Sequence, residues 1–323
     1  MLRPGQLNFH LSWGILKLCI TFYIFYMRPT LCDTFRSRAL WTWDMLDKGR
    51  SINCQIGEET LTDLNILELK IRHSTEICSI TFNKIDEGTN GADWEWWFTN
   101  SSANKWIGFR VQAKVIDIKK QCFEHLYYKN SKNSLHQCDI LINDSLAKPH
   151  PRIPLYCLYS NWSNSTELPL EYENYYSLRE IYGCSILPAL AVRYLRCKNK
   201  KPKHLKHLFQ YMRPWHYLVS YGKDKSSELP QRVYDYWVNF IRPIENFVIE
   251  ELDDNILLEL NEWRNKYLEK YNKICLVDKP PQEVIQLMNN ELVDRPDPNL
   301  RTLTVFKERD RVCEQLDEFI SNL

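Results

Sequence analysis

Apolar and polar positions recur with two different periods along this chain, and the change of period divides it. From Leu31 to Asp47 (LCDTFRSRALWTWDMLD), Phe35, Leu40, Trp43 and Leu46 fall near helical spacing, and Gly49 supplies a stop. Glu58 to His73 (EETLTDLNILELKIRH) repeats the pattern, with an apolar face expected through Leu61, Leu64, Leu67 and Ile71. Its two leading carboxylates sit where the helix dipole favours negative charge. The period then shortens to two. Ile77 to Ile85 is β-branched and alternating, Gly88 to Gly91 is turn-like, and Asp93–Thr99 and Trp106–Ile118 are further extended runs. Three successive strands are expected there. A polar helix over Leu135–Leu146 and a buried strand over Ile153–Tyr159 complete the order helix, three strands, helix, strand. That order predicts an α/β core over residues 27–165.

Beyond residue 165 the pattern is mostly helical, over Ile186–Leu195, Pro230–Phe240, Ile244–Tyr271 and Thr304–Leu323, with one strand expected at His216–Tyr221. Pro280-Pro281 and Arg295–Asn299 punctuate it. Residues 166–323 are therefore expected to form a helical extension packed on the core. At the other end, Leu11–Met27 is strongly apolar, but Lys17 interrupts it and the run is shorter than the roughly 20 residues a spanning helix needs. A membrane anchor, a signal peptide and a start at Met27 are the three readings. The last, which leaves residues 1–26 outside the fold, is preferred.

Charge narrows the function classes. Lys plus Arg number 42 and Asp plus Glu 41, a net charge of +1, so no global field draws the 323-residue chain to nucleic acid or membrane. Any polyanion site must be local. Eleven cysteines, an odd number with no CxxC and no Cys/His cluster at metal spacing, argue against a disulfide framework or a structural zinc site. They point instead to a reducing, cytoplasmic setting. The sequons Asn161-Trp-Ser and Asn164-Ser-Thr would matter only in a secreted chain.

The candidate chemistry lies on the second and third strands. Side chains alternate across a strand, so Asp93 and Glu95 share one face, opposite Trp94 and Trp96. By the same rule Arg110, Gln112 and Lys114 point one way while Phe109, Val111, Ala113 and Val115 enter the core. If the two strands are neighbours, carboxylates, an amide and an ammonium converge, with Glu58 or Glu59 arriving from the preceding helix. Such a set suits phosphodiester hydrolysis with Mg²⁺ or Mn²⁺. Oxygen ligands hold a hard cation that activates water, and a lysine stabilises the charge of the transition state.

A helix bearing Glu, a strand bearing Asp, a strand bearing Gln112-Ala113-Lys114, then a helix and a strand resembles the PD-(D/E)XK nuclease superfamily in its QxK, Mrr-like branch. The wider blocks GEETLTD (57–63), GADWEW (91–96), RVQAK (110–114), PLYCLY (154–159) and YGCS (182–185) resemble a bacterial family of proteins of unknown function from about Leu31 onward. The superfamily resemblance implies a restriction-endonuclease-like fold, metal-dependent cleavage of nucleic acid, DNA before RNA, and a role in defence against foreign DNA. It implies Asp93 as main metal ligand, Lys114 as the charge-stabilising lysine, Gln112 in place of the second acid and Glu59, ahead of Glu58, as the helix carboxylate. An amide cannot neutralise a dication, and Glu95 is the local candidate to restore the missing charge. The expected catalytic set is Glu59, Asp93, Glu95, Gln112 and Lys114, with Asp93, Glu95 and Glu59 as metal ligands. Gln137, on the following helix, is a further residue placed to line this site.

A local polyanion site is expected at residues 193–216, where Arg193, Arg196, Lys198, Lys200, Lys201, Lys203, Lys206 and Arg213 occur without an acid among interleaved aromatic residues. With Arg110 they form the expected nucleic-acid-binding set. An acidic run, Glu250, Glu251, Asp253, Asp254 and Glu259, balances it as an exposed helix face or a partner contact. Two rivals stay open: a nuclease-like protein that binds nucleic acid without cutting it, and a helical protein-interaction module. A homodimer stays open too, and a membrane partner is not expected.

Overall fold

The computed structural model describes residues 29–82, 92–130, 134–147, 149–163, 179–198, 200–220, 227–244, 258, 269–293 and 300–309. The apolar leader, the acidic run, most of Ile244–Tyr271, residues 310–323 and the Asn164 sequon lie outside them. Among the described residues no helix is long and apolar enough to cross a membrane, and the nine cysteines are all free thiols.

Helix α1 spans Leu31–Ser51 and opens on a capping box in which Thr30 and Asp33 satisfy each other's backbone N–H. It runs through Gly49 instead of stopping there. A Cβ on Gly49 would stand 2.6 Å from the Cys54 carbonyl, so this glycine lets the chain fold back closely on the last turn. Phe35, Trp43 and Leu46 are buried as expected, whereas Leu40 faces outward.

Helix α2 spans Glu58–Arg72 and buries only Leu61 of the four positions expected to form its apolar face. Leu61, Thr62, Asn65, Ile66 and Leu69 are buried, and Leu64, Leu67 and Ile71 are exposed. The polar positions win because each finds a partner inside. Asn65 accepts from Arg38 Nε at 2.9 Å and donates to Thr42 Oγ1 at 3.2 Å, and Thr62 bonds the Tyr159 hydroxyl at 2.8 Å.

The strands are β1 (Ile77–Thr81), β2 (Trp94–Thr99), β3 (Trp106–Val115), β4 (Ile153–Tyr159), β5 (Cys184–Pro188), β6 (Arg213–Pro214) and β7 (Thr302–Lys307). They form one seven-stranded sheet in the order β1-β7-β2-β3-β4-β5-β6. The fold is α/β, with helix α3 (Gln137–Ala147) making the crossover between the parallel neighbours β3 and β4. Further helices α4 (Ala189–Cys197), α5 (Leu205–Leu208), α6 (Tyr217–Ser220), α7 (Leu229–Tyr236) and α8 (Gln282–Met288) follow.

The sheet and its flanking helices correct four expectations. The residues after 165 are more than a helical extension, because they supply β5, β6 and β7. Thr304, read as the start of a helix, lies in β7, which inserts between β1 and β2 and pairs in parallel with β2. The strand expected at His216–Tyr221 is a short helix, α6, whose Leu218 and Val219 are buried. The Ile186–Leu195 segment divides at Pro188 into the end of β5 and the start of α4.

Opposite faces of β2 serve separate cores. Trp94, Trp96 and Phe98 join the large cluster with Phe109, Val111 and α1, while Trp97 packs with Val284 of α8 and with Leu303 and Val305 of β7. Two contacts lock α1 to the segments that flank β4 and β5. Asn161, the first sequon position, is fully buried and donates to the Trp43 carbonyl at 3.1 Å, so it offers no site for a glycan in this fold. Gly183, just before β5, lies so close to α1 that an added Cβ would stand 2.0 Å from the Ala39 carbonyl. Gly183→Ala is expected to destabilise the protein by about 3 kcal/mol, the upper end for over-packing against backbone. Urea unfolding checks this, and a cost below about 1 kcal/mol would refute the close approach.

Candidate functional site

The antiparallel register of β2 and β3 places Glu95 opposite Arg110 and Trp94 opposite Val111. Asp93 therefore arrives beside Gln112 at the end of the hairpin. Its backbone is held from both sides, donating to the Val111 carbonyl at 3.0 Å and accepting from Thr302 N at 3.1 Å. Gln112 Nε2 donates to Asp93 Oδ2 and, at 3.2 Å, to the carbonyl of Ala113, whose own N–H donates to Asp93 Oδ2 at 2.9 Å. Behind it, Gln137 at the start of α3 donates to Gln112 Oε1 at 2.8 Å. Lys114 is buried, with Nζ 3.5 Å from Glu58 Oε1. Asp93, Gln112 and Gln137 thus form one hydrogen-bonded chain, and the Lys114–Glu58 pair lies near enough for both of its charges to act on Asp93. Two carboxylates, two amides and an ammonium meet there where a strand end, a helix start and β3 converge.

The structure sorts the remaining expected residues. Glu59 pairs with Arg301 at 3.4 Å, and Glu58 is the helix carboxylate that pairs with Lys114. Glu95 is 2% exposed, and its Oε1 accepts from Arg152 Nε at 3.0 Å, Arg152 Nη2 at 2.9 Å and Trp97 Nε1 at 2.7 Å. Its charge is consumed by a buried ion pair, which corrects its assignment as a metal ligand. Arg110 is fully buried in the sheet, which takes it out of reach of a nucleic-acid phosphate.

Within the basic block, Arg193 and Arg196 both bind Asp139 in the first turn of α3, Arg196 at 2.9 Å. Arg213 donates to the carbonyls of Gln210 and Met212, each at 2.8 Å. These arginines tie elements together. Lys198, Lys200, Lys201 and Lys203 instead border a common cavity, and Lys206 is exposed on α5.

Residues 31–312 match the Family of unknown function (DUF6615). The chain belongs to that family. No curated protein and no solved structure matches it.

In this DUF6615 chain the Asp93 carboxyl is pushed up from the usual carboxylate range to about 6, chiefly because burial penalises its charge, while Lys114 opposes the shift and Glu58 reinforces it. The sign follows by linkage. Between about pH 4 and pH 6 the folded state holds a proton at Asp93 that the unfolded state has released, so stability falls as pH rises through that window. A shift of about two units corresponds to roughly 2–3 kcal/mol. Asp93→Asn is expected to remove this term, so the variant gains on wild type by that amount between pH 4 and pH 7. Urea unfolding of both proteins across the range checks it, and parallel stability curves would refute it.

Proposed function

We propose that the Asp93–Gln112–Lys114 cluster hydrolyses phosphodiester bonds in nucleic acid, DNA in the first place, with Mg²⁺ or Mn²⁺ as cofactor, as in the PD-(D/E)XK nucleases its motifs resemble. One observation carries the reading. The Gln112 amide nitrogen lies between two oxygens, Asp93 Oδ2 and the Ala113 carbonyl, an oxygen pair of the kind a hard cation takes as ligands. Rotation of the amide about its last bond exchanges nitrogen for oxygen and adds a third oxygen of the same type. Asp93, Gln112, the Ala113 carbonyl and Glu58 would hold the ion. When bound, it polarises the phosphoryl oxygen and makes a coordinated water more acidic.

The chain's own groups do the rest. Lys114 presents a buried ammonium beside Glu58, where low dielectric strengthens its hold on a developing phosphorane charge. Glu58 anchors that ammonium, its Oε1 3.5 Å from Nζ. Gln137 fixes the Gln112 amide and so governs which of its atoms faces Asp93. In the superfamily such an activity restricts foreign DNA, and the same role is proposed here.

A second reading, a nuclease-like fold that binds without cutting, is favoured by Glu95. Its pairing with Arg152 leaves Asp93 as the sole carboxylate on that strand face for a cation. One experiment separates the two. Purified protein is incubated with plasmid and single-stranded DNA, with and without Mg²⁺ or Mn²⁺, beside Asp93→Ala and Lys114→Ala. Metal-dependent cleavage lost in both variants supports hydrolysis. Salt-sensitive binding without cleavage supports the second reading, and cleavage that survives both substitutions removes this cluster from consideration.

A further inference from the structure

The lysines that follow α4 enclose a space. Lys198, Lys200, Lys201 and Lys203, with His204 and His207, border a partly open cavity of about 560 Å³ to which, among the described residues, no carboxylate contributes. Among the described residues, Lys200, Lys201 and Lys203 make no ion pair. Their ammonium groups repel one another in a chain whose net charge is only +1. The field reaches His207, since burial and then Lys206, His204 and Lys200 depress it below the ordinary imidazole range.

The frame that holds these charges is pinned from the 117–127 segment. Tyr127 donates its hydroxyl to the Pro202 carbonyl at 2.5 Å, Phe123 N donates to the Lys203 carbonyl at 2.9 Å, and Leu205 N donates to the Gln121 carbonyl at 2.9 Å. Lys201 sits in the left-handed region at φ 38°, a conformation that costs a non-glycine residue about 1 kcal/mol. Like charges are thus held together by a fixed backbone around a volume in the small-ligand range. A site fixed in advance spends little ordering entropy when an anion enters.

We infer that this cavity binds a compact polyphosphate, a chain of two or three linked phosphates, either free or carried on a nucleoside. Several phosphates within one small volume match several ammonium groups, and each pairing relieves repulsion already present in the empty frame. An extended strand spaces its phosphates one per nucleotide and presents fewer of them to a cavity of this size. The inference is independent of the proposed hydrolysis, because a chain that cuts nothing would still bind.

Isothermal titration of the full chain in metal-free buffer tests it, with tripolyphosphate, ATP, AMP, sulfate and a single-stranded oligonucleotide as probes. Tripolyphosphate and ATP are expected to bind at least tenfold more tightly than AMP or sulfate, with affinity falling steeply as salt rises. Equal affinity for the two assigns recognition to the phosphate chain, and tighter ATP binding adds a contact to the nucleoside. Lys200→Ala/Lys203→Ala is expected to weaken both at least tenfold, with an unchanged circular dichroism spectrum, and Asp93→Ala to leave both unchanged. Should the double variant misfold, a rise in the wild-type melting temperature with tripolyphosphate and none with sulfate supports the site by itself. Affinities no better than sulfate, or a folded double variant that binds like wild type, would each overturn the proposal.

Discussion

On the proposed hydrolysis, Lys114→Ala is expected to lower metal-dependent DNA cleavage by at least about 10²–10³-fold, the usual cost of removing one preorganised group that stabilises transition-state charge. The expectation rests on burial. Lys114 is 5% exposed and is held by Glu58, so its ammonium is aimed before any substrate arrives. Lys114→Arg tests the geometry, since a planar guanidinium keeps the charge but not the point contact, and most of the activity should still be lost. Glu95→Gln is the contrasting control. Its carboxylate faces Arg152 and Trp97, so cleavage per folded molecule should stay within about threefold of wild type while stability drops. Initial rates at saturating Mg²⁺, normalised to the folded fraction, give the comparison. If Glu95→Gln abolishes cleavage and Lys114→Ala spares it, the assignment of the two residues is reversed.

The contrast between Lys114 and Glu95 shows what alternation makes legible and what it leaves hidden. Period two states which face a side chain takes, and on that point Gln112 bonds Asp93 and the Lys114 charge acts on it. It does not state how far along the face a group lies or who meets it there. Asp93 stands at the strand's open end, whereas Glu95 is two residues deeper, where Arg152 arrives from just before β4. Partners that distant leave no local mark. The same limit hid β7, since TLTVFK is short, apolar and followed by residues of helical spacing, and only long-range pairing with β1 and β2 decides its state. In α2 the apolar stripe misled because Asn65 and Thr62 find internal partners, so side-chain hydrogen bonding outweighed hydrophobic count. The basic block is a cluster as its composition implied, but its arginines are committed to Asp139 and to backbone carbonyls, a fate that charge counting cannot separate from that of the lysines.

Arg152→Met should destabilise the protein by about 3–5 kcal/mol, because it strands the buried Glu95 carboxylate without its counter-charge. The two side chains are 4% and 2% exposed, and the Arg152 guanidinium also reaches Glu283 of α8 at 3.4 Å and lies 5.4 Å above the Trp97 ring. One residue therefore joins the β4 edge, β2 and α8. Removing both charges behaves differently. In Glu95→Leu/Arg152→Met neither ion of the pair is left buried, and apolar atoms join the neighbouring Trp97, Leu303 and Val305, so much of the loss should be recovered. Equilibrium urea unfolding of the wild type, both single variants and the double variant forms a thermodynamic cycle whose coupling term isolates the pair. Additive losses would mean that Glu95 and Arg152 do not neutralise each other. Glu95 would then regain its claim to a cation, and the division between a structural carboxylate at 95 and a chemical one at 93 would fail.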